Sequence, residues 1–500
     1  MPRLGLAPSP IVRMLAGTTL TSLITTGTSA VVIGTLADRL GPEQFGSYIL
    51  ARRMVGTVHA CCSLAMGMAI PRYVAMAQNE SERRAFLLGG LMLGVIPGLL
   101  IAALSIALPD TAARLLLGKA QSYGLLAGAL IFLIGCLFMD PLYGFYRGQG
   151  RMMQANAWQL AVFALGPAVV VYGPVRPTEA GRLLLCLGLV ACSSLGPLLP
   201  SILDGLRDKA ALRLLPDALG DLWCYGWPRV PAGFMLQSML ALGPLLASYH
   251  FGMAYAGFLL AGQAIFQMVE VAIYSFHIVM LPRAAVLHAE GHVEVLREMV
   301  SDVIIFISHV GLYATLHLLV WSRALILVWL GGLYADAVPL MRLLLVAVIP
   351  YTAHIMLRSF IDAVDHRPVN TINLGIALLG VMLASLLALN FGWGAAGLAL
   401  STSLGYWMLA ALSVRYLRSH FDLRDHQFMV VKLVMANVVL LLPSLGMAGL
   451  LQTYLNRAII LAFAALVEGI LFLIFCAVMW RSGARWMSEV MKRIVADAAL

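Results

Sequence analysis

Apolar residues run along the chain in stretches of about twenty, each closed by a few charged or turn-forming residues. A helix of that length crosses the hydrocarbon core of a bilayer, and it satisfies its own backbone there. The pattern predicts about fourteen spans, at roughly 15–36, 47–70, 85–108, 122–144, 155–174, 181–203, 224–247, 254–281, 302–322, 335–357, 369–390, 394–414, 429–451 and 458–480. The expected fold is an all-α polytopic membrane protein. An outer-membrane barrel would show short alternating segments, which are absent from the sequence. The longest connections, 204–223, 282–301 and 415–428, are too short for a soluble catalytic domain, and 204–223 reads as an amphipathic segment on the membrane surface.

A skeleton near the start of the chain returns in its second half. Gly41, Gly46, Pro71 and Arg72 match Gly252, Gly257, Pro282 and Arg283 at one constant offset. Internal symmetry in an apolar chain is a mark of transporters. It divides the sequence into a six-helix bundle at 1–203, a linker at 204–223, a second six-helix bundle at 224–414, and two extra helices with a tail at 415–500. The halves are expected to be related by an axis along the membrane normal.

Composition sharpens the class. The chain is 61% hydrophobic and 11% charged, against about a quarter charged in soluble domains. Its net charge of +9 does not call for nucleic acid, because the excess sits in short loops. With a cytoplasmic N-terminus, about 22 Lys and Arg residues fall on the cytoplasmic side and about 7 outside, as the positive-inside rule requires. Both termini are then cytoplasmic, with 15–36 an uncleaved first helix, since no clear small-residue cleavage site follows it. The seven cysteines lie in or beside apolar runs without metal-ligand spacing, so they read as packing residues and no cofactor is expected.

The motifs LGPEQFGSY, Pro71-Arg72-Tyr73, YRGQGR, VDHRP and FGWGAAGLALST together resemble the Wzx-type polysaccharide flippases of the multidrug/oligosaccharidyl-lipid/polysaccharide exporter superfamily. The resemblance implies two six-helix bundles around a central cavity. It implies movement of an undecaprenyl-pyrophosphate-linked sugar across a bacterial inner membrane, with polysaccharide polymerase and glycosyltransferases as partners. Peptidoglycan-precursor flippases and multidrug exporters of the same superfamily resemble the chain less. The first-span arginines of the former and the first-span carboxylate of the latter have no counterpart in 15–36.

A charge near the membrane centre costs at least about 2.5–3.5 kcal/mol, so each one needs a reason. Arg52 and Arg53 open the second span. They either snorkel to the outer surface or form a cationic wall whose planar forks match a pyrophosphate. Adjacent helical residues sit about 100° apart, so one lines the cavity and the other braces it. Arg229, in Trp227-Pro228-Arg229, contacts either lipid phosphates or the entering head group. Glu270 lies mid-span, and the repeat pairs it with His59; together they are candidates for proton coupling, against a structural pairing with a nearby arginine. Glu468 is a weaker candidate, and His277, His309, His317 and His354 read as packed residues. A membrane polymerase or ligase would need acid/base groups at an accessible face, and no carboxylate pair stands out. Export of drugs or other small molecules remains the second reading. The topology is tested by cysteine labelling. Cysteines at Glu43 and Asn456 should react with an impermeant reagent from outside, and those at Ser81 and Arg485 should not; termini on opposite sides would overturn it.

Overall fold

The computed structural model describes residues 10–421 except 119–121, 175–176 and 366, together with 435, 437–446, 448, 466–475 and 477. The side chains of 10–16, 266, 270–279 and 282 lie outside the described set, and with them that of Glu270. The described structure is helical. In chain order it comprises α1 (Pro10–Cys62), α2 (Met66–Met76), α3 (Glu80–Ala107), α4 (Pro109–Leu117), α5 (Tyr123–Gly148), α6 (Met152–Leu160) and α7 (Gly166–Tyr172). There follow α8 (Ala180–Cys192), α9 (Leu195–Arg207), α10 (Lys209–Gly226), α11 (Val230–His250), α12 (Met253–Ala289) and α13 (Val293–Trp329). Then come α14 (Ala337–Leu345), α15 (Val348–Val364), α16 (Val369–Asn390), α17 (Gly394–His420), α18 (Asn437–Gly446) and α19 (Leu466–Phe475). Among the described residues 8 helices are long and apolar enough to cross a membrane, or up to 10 if each bent pair is one span. The chain is an all-α polytopic membrane protein; the expected spans up to 394–414 fall on these helices or on bent or broken pairs, and those at 429–451 and 458–480 lie in large part outside the described residues.

Local chemistry sets the boundaries. Asn79 caps α3 by accepting from the Glu82 N–H at 2.9 Å, and the Glu82 carboxylate reaches back to the Gln78 N–H at 2.7 Å. Asp208 caps α10, accepting from Ala210 and Ala211 through one oxygen. Its other oxygen takes the Ser81 hydroxyl at 2.7 Å and Arg84 at 3.3 Å, tying α10 to the start of α3. The Ser81 hydrogen bond, helped by the backbone N–H groups and Arg84, holds this carboxyl below its ordinary range. α10 is amphipathic as expected. Its Ala211, Ala218 and Leu222 are buried, and Leu222 and Leu219 pack over Gly89 of α3, while Leu212, Arg213, Leu214 and Asp217 are exposed.

Contacts group the chain into two compact units, Met14–Leu260 and the residues from Ala261 onward with the first thirteen. In the first, Ile70 and Val74 of α2, Phe86 and Leu87 of α3, Leu142 and Phe145 of α5 and Leu222 of α10 share one core. In the second, Met280 of α12, Val300 and Ile307 of α13, Leu357 and Phe360 of α15 and Leu417 of α17 share another.

The repeat is visible in the backbone. Gly41 breaks α1 with φ +69°, ahead of Pro42, and Gly252 has φ +100° before α12. Both are turns of a hand that glycine adopts freely. Further along, the repeat partners Gly46 and Gly257 meet. A Cβ on Gly46 would lie 2.0 Å from the Met253 carbonyl oxygen, and one on Gly257 would lie 2.9 Å from the Gly46 Cα. The halves depart from one another below this point. α12 continues unbroken to Ala289, whereas its counterpart is interrupted between Cys62 and Met66. Gly46→Ala is therefore expected to cost about 1–3 kcal/mol by overpacking and to lower the thermal midpoint in detergent. Gly27→Ala, with open space around it, should leave it unchanged.

Candidate functional site

The interruption after Cys62 organises the most polar part of the first unit. Leu64 and Ala65 both take positive φ, 45° and 55°, which is uncommon for residues carrying a Cβ. The turn is held by the Met66 N–H, which donates to the Ser63 carbonyl at 2.8 Å. The Leu64 carbonyl lies against the α10–α11 junction, where a Cβ on Gly226 would come within 2.2 Å of it. From there α11 runs beside α1. Gly233 faces Ala60, and Gln237 faces Gly56. Broken helices that present free backbone groups at membrane depth are where transporters place their sites.

Charged groups occupy three levels along this seam. Deepest toward the Gly41 end is Arg52, half-buried, donating to the Tyr48 hydroxyl at 3.4 Å. It lines a small cleft with Ser29, Val32, Phe132, Val162 and Phe163. The last two belong to a π-helical turn, Ala161–Leu165, between α6 and α7, and such turns gather at functional sites. No carboxylate pairs with Arg52 among the described residues. Arg53, about 100° further round the helix, is also half-buried and has partners of its own.

Two helical turns below Arg52 is His59, whose Nε2 lies 3.3 Å from the Asp140 carboxylate of α5. The two side chains are 25% and 29% exposed. Asp140 also borders Gly67, at 3.6 Å from the position of a Cβ there, just past the break. The expected partner of His59 by repeat, Glu270, has its side chain outside the described set. The carboxylate that His59 meets is Asp140, which was visible in the sequence only as the residue before Pro141.

At the lower end Arg229 is exposed and lies over the Tyr225 ring at 3.7 Å, donating also to the Tyr225 carbonyl. Arg72 approaches the same ring at 4.9 Å. Trp223 and Trp227 stack beside them at 5.4 Å and are exposed. Arg147 and Arg151 lie over Tyr143 and Tyr146, at 5.3 and 5.6 Å. Arg52 and His59 thus lie two turns apart on one face of α1, and Arg229 stands at the start of α11, which runs beside α1; Asp140 and Gln237 are the polar neighbours that sequence reasoning missed. A wider cleft of about 740 Å³ lies beyond Gly41, lined by Glu43, Gln44, Glu179 and Arg182; it lies away from this seam and its lining carries both signs of charge. No group of His, Cys, Asp and Glu able to hold a metal occurs among the described residues.

No protein-family model matches the chain, and no curated protein matches it in sequence. The fold is that of solved transporters of the MOP superfamily. In particular, it is similar to the lipid II flippase MurJ in an inward closed conformation, with a TM-score of 0.70 over 94% of this chain and 99% of that one, at 13% identity. It is also similar to an inward-facing multidrug resistance MATE family transporter, TM-score 0.64, covering 83% of this chain and 99% of that one at 15% identity. A MOP superfamily transporter from Pyrococcus furiosus aligns with a TM-score of 0.57 over 82% of this chain and 95% of that one, at 16% identity.

The left-handed backbone at the break gives a direct test. Ala65→Gly removes the steric cost of a Cβ in that conformation and adds some unfolded-state entropy, for a net stabilisation of about 0.5–1 kcal/mol. The expected readout is a higher thermal midpoint, with Gly226→Ala lowering it.

Proposed function

We propose that this protein is a flippase that moves a lipid-linked oligosaccharide, carried on a pyrophosphate, across a bacterial inner membrane by alternating access. The observation that carries the reading is the seam of Arg52, His59–Asp140 and Arg229 along a broken helix. A pyrophosphate crossing an apolar barrier needs donors and positive charge at successive depths, and arginine forks supply both. Arg229 and Arg72 stand at the end where the head group enters, and Arg52 receives it deeper. The His59–Asp140 pair lies between them. With its imidazole protonated it is close to neutral overall, and it gains a negative charge when the proton leaves, which gives the step a means of coupling. In this reading Arg52 lines the path and Arg53 braces it. Glu270 keeps its place as a second coupling candidate in the other half.

Membrane placement follows the same reading. Both termini and the α10 surface lie on the cytoplasmic side, and the Gly41 and Gly252 turns lie outside. The product would feed surface polysaccharide assembly, such as O-antigen or exopolysaccharide, with glycosyltransferases supplying the substrate and a polymerase consuming it. The fold favours lipid-linked cargo over drugs in one respect, since the similarity to the lipid II flippase extends over more of this chain than that to the MATE transporters. The chain acts as a transporter rather than an enzyme.

The test is transport of a lipid-linked oligosaccharide in reconstituted vesicles. Arg52→Ala is expected to lower it by about tenfold or more, the weight of a charge-assisted hydrogen-bond pair. Arg52→Lys, which keeps charge but loses the fork, should fall between, and Arg53→Ala should lose less. Unimpaired transport by Arg52→Ala, with normal protein levels, would remove the pyrophosphate reading.

A further inference from the structure

Glu468, on the apolar helix α19, is a carboxylate of the second compact unit. Trp321 Nε1 donates to its Oε1 at 2.5 Å, and the Ser444 hydroxyl donates to the same oxygen at 2.8 Å. His317 Nδ1 lies 2.5 Å from Oε2, and the Tyr313 hydroxyl donates there at 3.4 Å. The Tyr313 ring stacks on the His317 ring at 4.0 Å. Three helices, α13, α18 and α19, meet in this cluster. His317 is buried, and its Nε2 has no hydrogen-bond partner among the described residues.

With Glu468 ionised, the contacts assign the protons. An indole N–H only donates, and the Ser444 hydrogen goes to Glu468. The Ser444 oxygen, 3.1 Å from His317 Nδ1, is left as an acceptor. Nδ1 therefore carries the imidazole hydrogen, and the lone pair of Nε2 is open. A metal ion would require several oxygen or nitrogen acceptors turned toward it. Here the neighbours of the carboxylate present hydrogens instead. The cation this arrangement accommodates is a proton.

We propose that the His317–Glu468 pair is an exchangeable-proton site, loaded at His317 Nε2. Loading forms one N–H bond from the Nε2 lone pair and a proton of water-borne acid, and the pair goes from one negative charge to none. Unloading returns that proton to water. The loaded pair is an ion pair across the contact between α13 and α19, so proton load sets how firmly the last two helices hold α13. Other charge is disposed around the pair without competing for it. Among the described residues α18 and α19 carry no further titratable group. One turn before Tyr313 on α13, His309 bonds the Ile305 carbonyl. Arg323, two residues past Trp321, is exposed, and Arg342 of α14 donates to Ser322 at 2.8 Å. The site stands independently of the proposed cargo.

The test uses the full-length chain with isotope-labelled histidine in lipid nanodiscs. Infrared difference spectra are recorded between acidic and alkaline buffers spanning the range in which imidazoles titrate. The expected result is an imidazole-to-imidazolium signal of which one component is lost in His317→Gln. Ser444→Ala, which keeps both titratable groups, should retain it. A signal unchanged by His317→Gln in folded protein would overturn the proposal. Trp321 supplies a readout with the pair intact. Its emission, obtained by subtracting the spectrum of Trp321→Phe, should change over the same buffers, and pH-independent emission would equally overturn the site.

Discussion

The contact between the Leu64 carbonyl and Gly226 is the constraint on which the candidate site depends. Non-helical backbone in an apolar surrounding must be shielded or wetted, because an unpaired carbonyl there costs several kcal/mol. A side chain at 226 would push α10 and α11 away from the break. With glycine there, the junction seats directly on the turn. α11 is then drawn along α1, past Ala60 and Gly56, and Arg229 is fixed one turn from the break. The same interruption frees α2 to start on a new axis, which places Gly67 against Asp140. One backbone contact thereby sets where Arg229 and Gly67 lie relative to the helix that carries Arg52 and His59.

Much of the fold was legible in the sequence because the bilayer imposes a length and a polarity that composition reveals directly. The turns at Gly41 and Gly252 were legible for a different reason: positive φ demands glycine, so the repeat survives there as identity. The break at Ser63–Ala65 was not legible. It contains no glycine or proline, and its left-handed residues, Leu64 and Ala65, are of types that normally continue a helix. It is sustained by tertiary contact, which no local pattern announces.

The site was legible in part for the same reason. Arg52 and Arg229 are conspicuous because cations are rare in apolar runs. The choice of Arg52 over Arg53 for the seam follows from its lying two helical turns from His59 and in the cleft beside the π-helical turn. Asp140 was harder to read, since it precedes a proline and sits near the end of a predicted span, where a carboxylate needs no special explanation. Repeat logic pointed from His59 to Glu270, but side chains meet by packing rather than by repeat, and His59 meets α5 of its own unit.

The two embedded imidazole–carboxylate pairs differ in a way that bears on their roles. His59–Asp140 is about a quarter exposed on each side and stands beside a broken helix. Glu468 is surrounded by four donors from two neighbouring helices, and His317 is 6% exposed. Low dielectric strengthens every interaction in such a cluster and makes any change of charge more consequential. A pair that bridges α13 to α19 converts a change of charge into a change in helix–helix attraction.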